Sequence, residues 1–377
     1  MKNIDEFIGG FGEDPGYLDF AKAGPIGEAV LNEGNANLQL LQRARFGSET
    51  LFTSQDARMR EAVASLTRFR PDQIVFQPNT SQGLMHAAFG LRGELALSAA
   101  DFPSITFAAT RAASALGQLT PLWLETDHGR ITPGNLRDQL TSSTTAVALS
   151  LVDFRTGYLA DLDGIRQVIG DRLLIVDAIQ GFGVVDAPYE VADVVVAGGQ
   201  KWVRAGWGTG FLAMSDRAAE TLTPVFSGFS AAAESEELPL DSVPPAPRGA
   251  GAFEITFPDP LAQARFSVAM EGILGVGVPV IASRLAEKTS AVIDLADEFG
   301  IAVTSSRDYA ERSGIVVVSP PRDQLTVLVA SLHNHGVTVT SRGGSVRISP
   351  HLTTTEESFG MLRASFLSYA SARGVHT

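Results

Sequence analysis

Cysteine is absent from all 377 positions, which excludes disulfides, thiolate metal sites and any reaction that needs a protein thiol. Basic residues are few: 29 lysines and arginines stand against 42 aspartates and glutamates, for a net charge of -13. Such a surface repels phosphate backbones and argues against non-specific nucleic-acid binding, while a local arginine site can still take a small anion. No run approaches the roughly 18 consecutive apolar residues of a membrane span. Met1 to Gly16 has neither a basic n-region nor an apolar h-region, so no signal peptide is expected, and the default location is cytoplasmic. No Gly-x-Gly-x-x-Gly opens the first strand–helix turn, which leaves little room for a nicotinamide-dependent oxidoreductase. Lysine is scarcest of all among the charged residues, occurring only at Lys2, Lys22, Lys201 and Lys288.

What remains is an ordered globular composition, 45% hydrophobic and 19% charged, in a chain long enough for two domains. Apolar runs at Ile74–Phe76, Glu94–Leu97, Pro121–Leu124, Ala146–Leu151, Leu173–Val176, Asp193–Val196 and Gly210–Ala213 read as strands. Helical patterns fill Ser81–Gly90, Ser104–Leu116, Asp161–Ile169 and Ser215–Thr221 between them. That alternation predicts an α/β fold with a mainly parallel seven-stranded sheet sandwiched by helices. Residues 231–252 are rich in Ser, Glu, Pro and Gly and read as a long surface connection. After a long helix ending near Phe299, short strands at Ile301–Thr304, Ile315–Ser319, Val337–Thr340 and Ser345–Ile348, with a helix around Asp323–Asn334, predict a smaller α+β C-terminal domain. No internal repeat is visible.

Lys201 follows the apolar run Val194–Ala197 and the pair Gly198-Gly199, and precedes Trp202 and a glycine-rich stretch, Gly206 to Gly210. Upstream, the run Leu173–Val176 ends at Asp177. Alone, a lysine is usually a solvated surface residue and a strand-end aspartate a turn former. Together they form the pair that pyridoxal phosphate (PLP) requires. The lysine forms an imine with the cofactor aldehyde, and the carboxylate keeps the pyridine nitrogen protonated so that the ring can act as an electron sink.

The stretch Val176-Asp177-Ala178-Ile179-Gln180-Gly181 and the segment from Ala192 to Trp202 resemble the strand-end and lysine motifs of the class V aminotransferase family. These are fold-type I PLP enzymes that include cysteine desulfurases, kynureninases and isopenicillin N epimerase-like proteins. The resemblance implies a large PLP-binding domain at 16–278 and a small domain made of 1–15 and 279–377. It implies that Asn79, Thr80 and Ser81 form a phosphate loop at a helix N-terminus, where backbone N–H groups and hydroxyls hold an anion. An ordinary N-cap is the plain alternative for that loop. By the same resemblance Phe102, within Asp101-Phe102-Pro103-Ser104, stacks on the pyridine, and Gln180 bonds the ring oxygen. Gln200 stands where the family has a histidine near phosphate, and Gly198 where it commonly has a serine. Thr256, in Phe253–Asp259, falls in the loop that reaches the partner subunit's phosphate in a homodimer. Arg347, in Arg347-Ile348-Ser349, corresponds to the arginine that holds the substrate carboxylate, with Arg342 as an assistant or a surface residue. Phe154-Arg155-Thr156-Gly157 resembles a kynureninase-type segment whose arginine braces the fold or touches ligand. His333 and His335 alternate as some metal ligands do, but nothing beside them completes a set.

The implied activity is that of a PLP-dependent enzyme acting on the amino group of an α-amino acid or small amine. Transamination is the first expectation; a lyase, an epimerase or a kynureninase-like hydrolase is the alternative. A PLP-binding protein without turnover is a further rival, disfavoured by the retention of both Lys201 and Arg347. The missing cysteine excludes a cysteine desulfurase that works through a protein-bound persulfide, because no hydroxyl ionises readily enough to replace a thiolate.

Overall fold

The computed structural model describes residues 3–43, 46–231, 242–255 and 257–374. Seven strands form the main sheet: β1 (Ile74–Phe76), β2 (Gly93–Ser98), β3 (Leu119–Leu124), β4 (Thr144–Ser150), β5 (Leu173–Asp177), β6 (Val194–Gly198) and β7 (Gly210–Met214). Their spatial order is β1-β7-β6-β5-β4-β2-β3. The pairs β3–β2, β2–β4, β4–β5 and β5–β6 are parallel, whereas β7 runs antiparallel to both of its neighbours. Strands β5, β6 and β7 are buried along their whole length. Their sequences are therefore continuous apolar runs rather than alternating ones, as a sheet covered on both faces demands. One face packs on Phe182, Phe211, Phe266 and Val195; the other presents Val75, Leu97, Ile175, Val196 and Leu212.

The Thr80–Gly90 helix lies directly on this second face. A Cβ on Gly83 would come within 2.3 Å of Val196 Cγ1, so glycine is what permits the close approach. Asn79 caps the helix, its Oδ1 accepting from the Gln82 backbone N–H at 3.0 Å. Two helices outside the predicted set, Glu28–Arg43 and Ser48–Thr67, and a third at Pro133–Gln139, complete this part of the molecule. The helices Pro260–Val276 and Val278–Glu298 meet at an 85° bend at Gly277, whose φ of 98° suits glycine. No single helix among the described residues is long and apolar enough to cross a membrane.

A second sheet contains β8 (Val316–Val318), β9 (Thr340–Arg342) and β10 (Ser345–Ile348) in the antiparallel order β8-β10-β9. It packs with Leu328, Leu362 and Phe366 in a separate apolar cluster. Two of the expected short strands differ. Ile301–Thr304 contributes only an isolated bridge from Val303 to Val318. The segment expected at Val337–Thr340 pairs instead at Thr340–Arg342, because the Gly343-Gly344 turn sets the hairpin register. A C-terminal helix, Glu356–Gly374, was not foreseen. Near the N-terminus, Ile4, Phe7 and Ile8 pack against the large cluster, while Leu18 lies in the small one. Bridges from Tyr17 to Thr338 and from Asp19 to Ser349 carry the chain between them. Of the expected loop at 231–252, residues 232–241 lie outside the described set, and Ala250–Phe253 form a 3-10 turn with Ala250, Ala252 and Phe253 buried.

Candidate active site

The segments singled out in the sequence converge because they follow the carboxyl ends of strands running the same way. Thr80 comes after β1, Phe102 after β2, Phe154 after β4, Asp177 closes β5 and Lys201 follows β6. In open α/β sheets this end is where ligands bind.

Lys201 is buried, with 9% of its surface exposed, and its Nζ lies 5.5 Å from the centre of the Phe102 ring. Asp177 is buried beneath; its Oδ1 accepts from the Ile179 N–H at 3.0 Å, and its Oδ2 has no partner among the described residues. A buried, orphaned carboxylate oxygen at a strand end is costly unless a cation or donor arrives. Burial pushes the Asp177 carboxyl up to about 7, and nearby Lys201 opposes that rise. Burial likewise lowers Lys201 to about 8, with Asp177 holding it up and Arg347 adding to the depression. A lysine shifted this way spends part of its time as the neutral, nucleophilic amine near pH 8.

The Lys201 loop is pinned from several sides. The Gly24 N–H donates to the Gln200 carbonyl at 2.9 Å, the Arg204 N–H to the Lys201 carbonyl at 3.1 Å and the Ala205 N–H to the Gly199 carbonyl at 2.8 Å. Arg204 sits at φ 62° and is almost fully buried. Its guanidinium bonds Glu13 and Thr353 and lies 3.9 Å from the Phe11 ring centre. Nothing in the sequence distinguished Arg204 from a surface arginine.

At the phosphate loop, Thr80 is buried and its Oγ1 has no partner among the described residues. Asn79 serves the ordinary capping role, and the Ser81 hydroxyl pairs with that of Ser104 at 2.7 Å. Gly198 and Gln200 meet here as well. A Cβ at Gly198 would fall 2.3 Å from Gln200 Oε1 and 3.3 Å from Thr80 Oγ1, so the Gln200 side chain occupies the room a serine would need. Gln180 is tied at both ends of its amide: Nε2 donates to the Ala21 carbonyl at 3.0 Å, and Oε1 accepts from the Trp202 indole at 2.8 Å. Only the second Nε2 hydrogen is left for a ring oxygen, and bracing Trp202 against the N-terminal segment is what the geometry shows. Thr256 lies outside the described residues.

Arg347 lies across from this group. Its Nη1 donates to the Phe154 carbonyl at 3.1 Å and its Nη2 to Asp19 Oδ1 at 3.4 Å; its Nε is buried without a partner. Asp19 is buried and accepts from the Thr340 hydroxyl through both oxygens at 2.9 Å. Burial outweighs pairing on both sides of the ion pair, raising Asp19 and lowering Arg347 from their ordinary values. Asp19 and Thr340 were missed in the sequence; the one signal was an aspartate inside the apolar run from Tyr17 to Ala21. Arg155 bonds Asp153 at 3.1 Å and the His128 carbonyl at 3.4 Å, which makes it mainly a brace. A cavity of about 510 Å³ opens beside Arg347, lined also by Phe154, Arg155, Thr340 and Arg342. Arg342 lies exposed on its rim.

Comparison with known proteins identifies the family and the fold. Residues 31–377 match the family described as aminotransferase class-V. A protein from Methanothermobacter thermautotrophicus (strain Delta H), named a probable cysteine desulfurase, is 27% identical over 227 residues. The match spans only 56% of this chain and 56% of that protein. Among solved structures, the apo cysteine desulfurase of Thermococcus onnurineus NA1 superposes with a TM-score of 0.82 at 20% identity, covering 93% of each chain. A mutant of C-DES with glycine covalently linked to its PLP cofactor gives 0.86 at 17% identity, covering 97% of this chain and 99% of the other. The cystine C-S lyase C-DES in complex with its product cysteine persulfide gives 0.84 at 18% identity, over 94% and 97%. These likenesses show the type I fold of PLP-dependent enzymes. PLP is the family's cofactor, and the unpartnered Thr80 Oγ1 and Asp177 Oδ2 suit its phosphate and its pyridine nitrogen. The seven-stranded sheet, the converging strand ends and the match over residues 31–377 make this chain a member of the class V aminotransferase family.

Proposed function

We propose that the protein is a PLP-dependent enzyme acting on the amino group of an α-amino acid, with transamination as its first reaction. The observation that carries this reading is the buried pair of Lys201 and Asp177, with Phe102 beside the amine and an orphaned oxygen on the carboxylate. Bound PLP supplies an electron sink that weakens the bonds at the substrate Cα. Thr80, Gln200 and the helix N-terminus after Asn79 would hold its phosphate, Asp177 would keep its ring nitrogen protonated and Phe102 would stack on the ring. The Lys201 Nζ would take and return the Cα proton, for which an amine near pKa 8 is well matched. The Arg347 guanidinium would hold the substrate carboxylate, and Asp19 fixes the guanidinium plane.

A second reading, C–S lyase chemistry, is favoured by the missing cysteine together with the likeness to a lyase whose product is cysteine persulfide. A persulfide released on a small molecule needs no protein thiol. We further propose a homodimer. Leu31, Leu38, Leu41 and Leu51 on the Glu28–Arg43 and Ser48–Thr67 helices each leave about half their surface exposed, an apolar face that a second copy would cover.

The test is direct. Purified protein should carry a yellow chromophore that borohydride bleaches, and peptide mapping should find the reduced pyridoxyl group on Lys201. A label on Lys22 or Lys288 would overturn the assignment. An amino-acid panel assayed for half-transamination, with parallel detection of sulfide and pyruvate-type products, separates the two reactions.

A further inference from the structure

The cavity beside Arg347 contains a second arginine that no acidic group accompanies. Register explains how it comes to be there. In the β9–β10 hairpin Thr340 pairs with Arg347 and Arg342 with Ser345, so all four side chains stand on one face of the ribbon. That face lines the cavity. The turn between the strands is Gly343-Gly344, both with positive φ (59° and 87°), a two-residue turn whose twist matches the strands and holds this register. Arg347 and Arg342 are thus diagonal neighbours, with Cβ atoms roughly 7–8 Å apart by ordinary sheet geometry.

The two guanidinium groups have different surroundings. Arg347 has Asp19, Thr340 and the Phe154 carbonyl. Arg155, also on the cavity wall, has Asp153. Arg342 has no ion-pair partner among the described residues, and its guanidinium makes no hydrogen bond there; the bonds it makes, to Ser345, run through its backbone. It is close enough to Arg347 to disfavour that residue's charged form. In a chain of net charge -13, two adjacent cations sharing one carboxylate are an arrangement that attracts an anion. The same wall carries the apolar side chains of Phe154 and Val317, which suit methylene groups.

We propose that the substrate carries a second carboxylate, bound by Arg342, in addition to the α-carboxylate assigned to Arg347. The substrate class is then an amino acid with an acidic side chain a few carbons long. The inference rests on the reading of Arg347 above. Arginine suits the role because its planar fork takes both oxygens of a carboxylate, and the mouth of the cavity leaves that fork accessible.

The experiment compares glutarate with pentanoate, ligands of equal chain length that differ by one carboxylate. Each is titrated into the holoenzyme and followed by the cofactor's absorbance and by calorimetry. Glutarate should bind about tenfold more tightly, and the advantage should shrink as salt is added. In R342Q the affinity for glutarate should fall to that for pentanoate; in R347Q both ligands should weaken together. Equal binding of the two by the unaltered enzyme, no binding of either, or a glutarate preference that survives R342Q would overturn the proposal. Binding that R347Q leaves unchanged would instead refute the Arg347 reading, while the R342Q comparison would still decide the role of Arg342.

Discussion

The two ends of the site are built on different principles. The cofactor end is dry: Thr80, Asp177, Gly198 and Lys201 are buried at the ends of strands packed on both faces, and their hydrogen bonds run mostly to nearby backbone. The carboxylate end is half open, and it is assembled from residues far apart in the chain. Arg347 reaches Asp19 across 328 positions and Phe154 across 193. The comparison teaches that the proposed cofactor end is set by the strand ends of one sheet, whereas the proposed carboxylate end depends on how a small hairpin sits against an N-terminal segment.

The sharpest break of the cofactor end is Lys201→Ala. It should lower turnover by about a thousandfold or more while the protein stays folded, with PLP retained only non-covalently. Dialysis followed by absorbance would show the weakened retention. At the other end, Arg347→Ala should cost about 2–4 kcal/mol in amino-acid binding and leave cofactor occupancy unchanged, which titration of the chromophore measures. An equal loss of PLP would mean that the two ends are not separable.

The dryness of the cofactor end gives a third test. His86, on the helix that presents Thr80, is buried between Phe226 and Phe253 with neither ring nitrogen partnered among the described residues. Burial lowers it to about 4 from an ordinary 6.5. The sign follows from proton counting. Between those values the unfolded chain binds a proton that the folded one refuses, so His86 takes stability away as pH falls below about 6.5. His86→Leu should therefore stabilise the protein by about 2 kcal/mol more at pH 5 than at pH 8, read from denaturant melts. A gain independent of pH would show the histidine to be partnered in solution. The smallest effect is expected for Asp19→Asn, which keeps the hydrogen bond to Thr340 but removes the charge that steadies Arg347. KM should rise by roughly tenfold, about 1.4 kcal/mol, with kcat changed little.

The same division decided what could be read from the sequence. All seven strands of the main sheet were legible to within two residues at each end, most plainly β5, β6 and β7, where double burial forces unbroken apolar runs. Asp177 and Lys201 were legible because each sits at the end of such a run. The small sheet was read less well, since strands of three or four residues leave little pattern and the Gly343-Gly344 turn, rather than hydrophobicity, sets their register. The Glu28–Arg43 helix escaped notice for another reason: Leu31, Leu38 and Leu41 point outward and only Val30 and Asn37 are buried, so its leucine periodicity does not mark the face that packs on this chain. Asp19, Thr340 and Arg204 owe their roles to partners more than a hundred residues away, which local pattern does not encode.

One consequence of the N-terminal segment concerns the order in which the protein comes into being. Leu18 bonds Thr338 and Ser349, Phe20 bonds Ser349, and Gly24 bonds the Gln200 carbonyl of the lysine loop, and each of these partners is synthesised long after residues 17–24. During synthesis β2 to β6 can pair as they emerge and β1 waits for β7, but this segment waits for Gln200 and then, longer still, for Thr338 and Ser349 before its partners exist. Closing so long a loop is entropically slow, and the late-arriving hairpin finishes it. A nascent chain should therefore acquire its sheet well before its anion grip, so that cofactor capture and substrate recognition mature as two separate events in the life of each molecule.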